Sequence, residues 1–191
     1  MPRLWLLILI AAAVAGCRQA VNVEAPPQIV YGEDVCDHCA MIINEERFAS
    51  AYWTVDGEAR RFDDIGGMLA HYQETQEAVT TFWVHDYTGG DWLNAENAFF
   101  VMDPEMTTPM GFGFAACATE TEAKALAYGQ DGAVIMNFDT LMTDLEAGRL
   151  DLDPFNNHSH NLDDHDMEDS AGDMSGNMDP NEMDHDTEHD G

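Results

Sequence analysis

Two thiols, an imidazole and a thioether fall within one short stretch, Cys36-Asp37-His38-Cys39-Ala40-Met41. A CxxC pair in an exported protein serves as a structural disulfide, as a thioredoxin-like redox pair or as half of a zinc site. Structural zinc takes four nitrogen or sulfur ligands, and elsewhere in the middle of the chain only Cys117, His71 and His85 are on offer. A redox pair needs a helix N-terminus to lower the thiol pKa, and Ile42-Ile43 with the bulky residues after them do not look like such a start. Met41 separates the motif from these alternatives. In an extended segment residues i and i+2 share a face, so Cys39 and Met41 converge on one point while the turn brings in Cys36. Two thiolates and a thioether form a soft set of low coordination number that suits Cu(I) better than zinc or any hard ion. Taken alone, Met41 reads as a core residue ahead of Ile42-Ile43, and its spacing from Cys39 is what marks it as a ligand. His38 either joins the site or points to solvent.

Met110 is the next candidate, because Thr107-Thr108-Pro109-Met110-Gly111 is a turn context in which Pro fixes φ, Gly frees it, and the thioether is presented on a loop. Met106 and Met102 are weaker, and Cys117 follows a strand pattern that favours a buried, inert thiol. No Gly-rich phosphate loop, GxSxG or HExxH occurs, and Asp63-Asp64 and Asp86 are accounted for as caps and turns.

These residues need elements to hold them. Residues 51–55 predict a strand, Asp56-Gly57 a hairpin turn and residues 59–62 its partner. Asp63-Asp64 predicts the cap of a helix over residues 65–76, and residues 80–87 return as a strand. The second half repeats that order: strands over 97–102 and 113–118, a helix over 120–128 after the Thr119 cap, and a strand over 133–136. A last helix over 140–147 stops at Gly148. The expected fold class is therefore α+β, built from two ββαβ-like units that suggest an internal duplication.

Composition divides the 191 residues into unlike regions. Seven bases against 37 acids leave a formal net charge of −30, which makes nucleic acid an unsuitable partner. Residues 1–16 carry one base, an uncharged run from Leu4 to Val14 and small residues before Cys17, the arrangement of an export signal rather than of a membrane span. Val14-Ala15-Gly16-Cys17 resembles a bacterial lipobox, with Val14 where Leu is commoner; Cys17 would then be acylated and anchor the chain to the lipid membrane. Residues 17–28, with Pro26-Pro27, suit a tether, and residues 29–153 hold the globular domain. Residues 154–191 have no Lys or Arg, five His, four Met and many acids. Such a segment is expected to be disordered, and is either a solvated acidic tail or a weak multivalent metal collector.

Several motifs together carry a family resemblance. The lipoprotein signal, CxxCxM at residues 36–41, Phe62-Asp63-Asp64-Ile65-Gly66, the run Tyr87-Thr88-Gly89-Gly90-Asp91-Trp92-Leu93-Asn94-Ala95-Glu96-Asn97-Ala98 and Thr108-Pro109-Met110-Gly111 all resemble the NosL family. The resemblance implies an α+β fold of repeated ββαβ units related to the organomercurial lyase fold. It also implies a copper(I)-binding lipoprotein of the bacterial periplasm, anchored at the outer membrane, that delivers copper to nitrous oxide reductase together with an ABC-type maturation complex in denitrifiers. By position Cys36, Cys39 and Met41 match the family's metal motif and Met110 its PMG methionine. Acidic charge around the site would favour encounter with a basic patch on the partner. Two other functions remain open on the residues alone: a thiol oxidoreductase or thiol-dependent lyase using the CxxC pair, and a structural lipoprotein with a CxxC disulfide.

Overall fold

Asp56-Gly57 turns the chain as its dipeptide predicts, with Gly57 at φ 81, and joins β1 (Ser50–Thr54) to β2 (Ala59–Phe62). The computed structural model describes residues 22–150 and 152; the signal at 1–16, Cys17 and the tail at 154–191 lie outside the described residues. In the β1–β2 register Ser50 faces Phe62 and Tyr52 faces Arg60. β3 (Val79–His85) then pairs with the other side of β1, setting Phe82 beside Tyr52 and Val84 beside Ser50. Because side chains alternate across a strand, Tyr52, Phe62, Phe82 and Val84 share the core face and are buried. Between β2 and β3 runs α1 (Ile65–Thr75), capped by the Asp64 side chain on Gly66 N.

The second half uses the same plan. β5 (Phe99–Met102) and β6 (Phe114–Cys117) form a hairpin, α2 (Glu120–Leu126) follows, and β7 (Val134–Asn137) returns to the free side of β5. The sheet orders, β2-β1-β3-β4 and β6-β5-β7, show one topology used twice with one strand added. Both units contribute to one core, in which Tyr52, Phe62, Phe82, Phe100, Phe114, Met136 and Leu141 are gathered. The fold class is thus the expected α+β arrangement of two ββαβ units.

Several boundaries move for local reasons. The added strand β4 (Trp92–Asn94) pairs with β3; three residues are too few to show a period in the sequence. β3 ends at His85 because Asp86 begins a turn, its Oδ2 accepting from Gly89 N at 2.6 Å. Asn97, expected to open a strand, instead closes a single helical turn over residues 95–97, capped by Asn94 on Glu96 N. α3 (Phe138–Glu146) starts two residues before expectation because Asn137 caps it through Thr140 N. At α2 the Thr119–Glu122 capping box forms as a Thr-x-x-Glu sequence predicts. Part of the expected tether is packed: Ala25 O accepts from Trp53 Nε1, Gln28 O accepts from Arg61 Nε, and Pro27 is buried.

The first turn of α1 carries Gly66-Gly67 after Ile65 although Gly costs a helix about 1 kcal/mol against Ala. The reason is close approach. A Cβ on Gly66 would sit 2.2 Å from Phe112 Cβ, and one on Gly67 would sit 2.8 Å from Met110 Sδ. Gly66→Ala is therefore expected to lower the unfolding free energy by about 1–3 kcal/mol, read as a fall in the urea midpoint. Gly67→Ala should cost less, because the flexible end of Met110 can give way; equal midpoints for the two variants would refute this reading of the helix start.

Candidate metal centre

The CxxC segment is the tip of a short hairpin. Val35 and Ile42 pair across it, Cys36 N donates to Met41 O at 2.8 Å and Ala40 N donates to Cys36 O at 3.0 Å. Ile43 is fully buried and anchors the base. Asp37 fixes the tip to the outer edge of β2, where its N donates to Arg61 O at 2.8 Å and its Oδ2 accepts from Arg61 N at 2.7 Å. That exchange also satisfies edge groups that would otherwise be left open. Ala40 takes φ 61, a left-handed conformation that costs a residue with a Cβ about 1–2 kcal/mol. Residues 39–41 are therefore turned, not extended as the i, i+2 argument assumed.

What the turn gathers is Cys36, Cys39 and Asp63, whose ligand atoms all lie within 4.8 Å of one another. The two oxygens of Asp63 stand 3.7 and 3.8 Å from Cys39 Sγ. Asp63 and Cys36 are each only 2% exposed, while Met41 is 52% exposed. Met41 and Asp63 line the same cavity of about 470 Å³, together with Ala40, Ile42, Asn44, Glu45 and Pro109. Cys36, Cys39 and Cys117 are free thiols. Burial pushes the Cys36 thiol up to about 12; backbone N–H contacts from Cys39, Asp63 and His38 oppose the rise, and the Asp63 side chain adds to it.

Asp63 and Asp64 divide two tasks. Asp64 is the cap, fully buried, and accepts from Gly66 N at 2.8 Å, from Met110 N at 3.0 Å and from Thr108 Oγ1. Its desolvation raises the carboxyl pKa against those three hydrogen bonds. One carboxylate thereby ties the Thr108–Gly111 turn to the start of α1. Asp63, released from capping, turns to the cysteines. Sequence reasoning assigned both to caps and missed Asp63; the available signal was that one helix start needs one cap.

The other candidates are distributed as follows. Met110 lies on the loop that Asp64 holds, with its Sδ against Gly67, while its neighbour Pro109 reaches the cavity. His38 faces α1, its Nδ1 3.7 Å from Glu74 Oε2 and its ring edge-on to His71, outside the three-residue group. Cys117 is fully buried and its thiol is pushed up to about 11. His85 has both ring nitrogens engaged: Nδ1 donates to Gly90 O, an acceptor only, so Nε2 accepts from Tyr31 Oη at 2.7 Å.

Comparison with known proteins bears on this site. Residues 27–145 match the family model described as NosL. The "Copper-binding lipoprotein NosL" of Stutzerimonas stutzeri is 24% identical over 148 residues, which cover 71% of this chain and 77% of that protein. A solved structure, "Crystal structure of the copper chaperone NosL from Shewanella denitrificans", aligns with a TM-score of 0.52 at 20% identity, covering 59% of this chain and 92% of that one. At that identity the likeness establishes the shared fold.

Different burial of the three thiols has a chemical consequence. Under reducing conditions iodoacetamide should modify Cys39 first, with Cys36 and Cys117 slower by more than about tenfold at pH 8, because both lack thiolate and access. Peptide mass spectrometry over time checks the order, and equal labelling of Cys36 and Cys39 would contradict the burial described.

Proposed function

The chain belongs to the NosL family, and on that premise we propose that it is a copper chaperone that carries Cu(I) on Cys36, Cys39 and Met41. The observation that carries the reading is the convergence of two thiols and Asp63 within 4.8 Å, with the half-exposed thioether of Met41 lining the cavity that Asp63 also lines. Sulfur donors suit Cu(I), and the ion here is cargo. Binding requires the thiol protons to leave; Asp63, 3.7 Å from Cys39 Sγ, is placed to receive one. Met110 is the further donor, swinging from Gly67 on the loop that Asp64 fixes. His38 is the alternative, on a rotation away from Glu74.

Transfer follows from the gradient of exposure. Met41 is the outermost donor and carries no charge, so a partner's sulfur can replace it before either cysteine lets go. The copper therefore passes from ligand to ligand without release into solution. In the finer form of the proposal the receiving proteins are the ABC-type maturation complex and nitrous oxide reductase. The chain is then held in the periplasm by acylated Cys17, at the outer membrane, after loss of residues 1–16. The copper domain is residues 29–153, and residues 154–191, with their His and Met, add weak copper sites. The protein is not an enzyme on this reading: a thiol oxidoreductase or lyase would want a depressed thiol pKa, and the Cys36 thiol is pushed the other way.

The test is anaerobic titration of the reduced chain from residue 18 onward against a chromophoric Cu(I) chelator. One tight equivalent is expected. Cys39→Ser should abolish it, and Met41→Leu and Asp63→Asn should each weaken it by about 10–100-fold. Retention of that equivalent in a Cys36→Ser/Cys39→Ser variant would overturn the assignment.

A further inference from the structure

The hairpin that holds the cysteines also presents an apolar strip to solvent. Val30, Val35, Met41 and Ile42 are 50%, 52%, 52% and 49% exposed, and Val35 and Ile42 lie opposite one another across the bridge. Large apolar side chains grouped in water mark a surface that a partner covers. This strip opens on a groove. The cavity at Met41, Asp63 and Pro109 shares Asn44 and Glu45 with a second cavity of about 490 Å³, lined further along by Glu46, Arg47 and the turn Tyr87-Thr88-Gly89-Gly90.

That turn is built to hold its shape. Asp86 accepts from Gly89 N through its side chain and from Gly90 N through its carbonyl, and its other carboxylate oxygen accepts from Ala118 N on the second unit. The Tyr-Thr-Gly-Gly sequence therefore has a role that copper ligation does not require: it forms the far wall of the groove. Among the charged lining residues Glu45, Glu46 and Asp63 stand against Arg47. Arg47 in turn lies over the Tyr87 ring, 5.5 Å from its centroid, so it is held against the wall.

We propose that this groove, running from Pro109 past Met41 to Gly90, is the docking surface for the protein that accepts the copper, and that it takes a segment with apolar side chains flanked by Lys or Arg. The proposal rests on the copper-chaperone reading and adds the chemistry of the partner. Charge decides the occupant. A second copy would bring another net charge of −30, and residues 154–191 have no base to offer Glu45 and Glu46. A basic, apolar segment is steered in by the acidic margin, displaces water from Val35 and Ile42, and places its own sulfur beside Met41, the most exposed donor.

Two synthetic acceptor peptides test this, sharing an apolar Met-containing centre and flanked by lysines in one and by glutamates in the other. With the metal-free, 15N-labelled chain, the lysine peptide should shift amides of residues 41–47 and 87–90. Those shifts should fall away in Ile42→Ser and in Glu45→Gln/Glu46→Gln but persist in Glu120→Gln, and the glutamate peptide should produce none. Shifts confined to residues 154–191, or groove shifts indifferent to those variants, would overturn the proposal. With the copper-loaded chain, transfer to the lysine peptide should slow about tenfold in Glu45→Gln/Glu46→Gln, and an unchanged rate would also count against it. Because the metal-free mapping needs no copper, a chain that shows the groove shifts but fails to bind Cu(I) would refute the chaperone reading and leave the groove intact.

Discussion

A carboxylate with no exposure to water must be hydrogen bonded or it is very costly, and Asp64 meets that demand in one way only: it binds the first turn of α1 and the Thr108–Gly111 turn together. Other features follow from that bond. The second turn comes so close to the helix that Gly66 and Gly67 have no room for side chains against Phe112 and Met110. The helix accepts two glycines as the cost of contact between the two ββαβ units. Asp64 also takes over capping, which frees the adjacent Asp63 to face the cysteines.

The hairpin bearing Cys36 and Cys39 is fixed from the opposite side. Asp37 pairs with the Arg61 backbone, Ile43 is sunk in the core, and Tyr31 donates to His85. The backbone around the thiols is thus held by β2 and β3, while the outer face of the same hairpin, with Met41 and Ile42, is left in solvent. The proposed carrier role would benefit from this combination: candidate donors set in place by a rigid scaffold, and one side open to solvent. The strained φ of Ala40 belongs to the same economy, since the turn at that residue carries the chain from the buried Cys36 to the exposed Met41.

Most of the scaffold was legible in the sequence because its signals are local. Asp56-Gly57, the Thr119-x-x-Glu122 box and Asp64 ahead of the first helix each specify an element within a few residues. The errors arose where a short-range competitor intervened, as when Asn137 captured the start of α3 or Asp86 ended β3 before Tyr87. The candidates Cys36, Cys39, Met41 and Met110 could be named from the sequence, but not the arrangement in which Cys36 and Cys39 meet Asp63. One helix start needs only one cap, but nothing local says which of Asp63 and Asp64 supplies it, that His38 faces Glu74, or that Met110 rests on Gly67. Each of those depends on contacts between segments distant in the chain.

The central claim is that Cu(I) sits in the folded domain on sulfur donors drawn from the hairpin and the facing loop. X-ray absorption at the copper edge of the reduced chain, loaded with one equivalent of Cu(I), tests it most directly. The account predicts a first shell dominated by sulfur, with outer-shell scattering from no more than the single imidazole of His38. A spectrum dominated by imidazole would contradict it, moving the metal to His38 and His71 or to the histidines beyond residue 154.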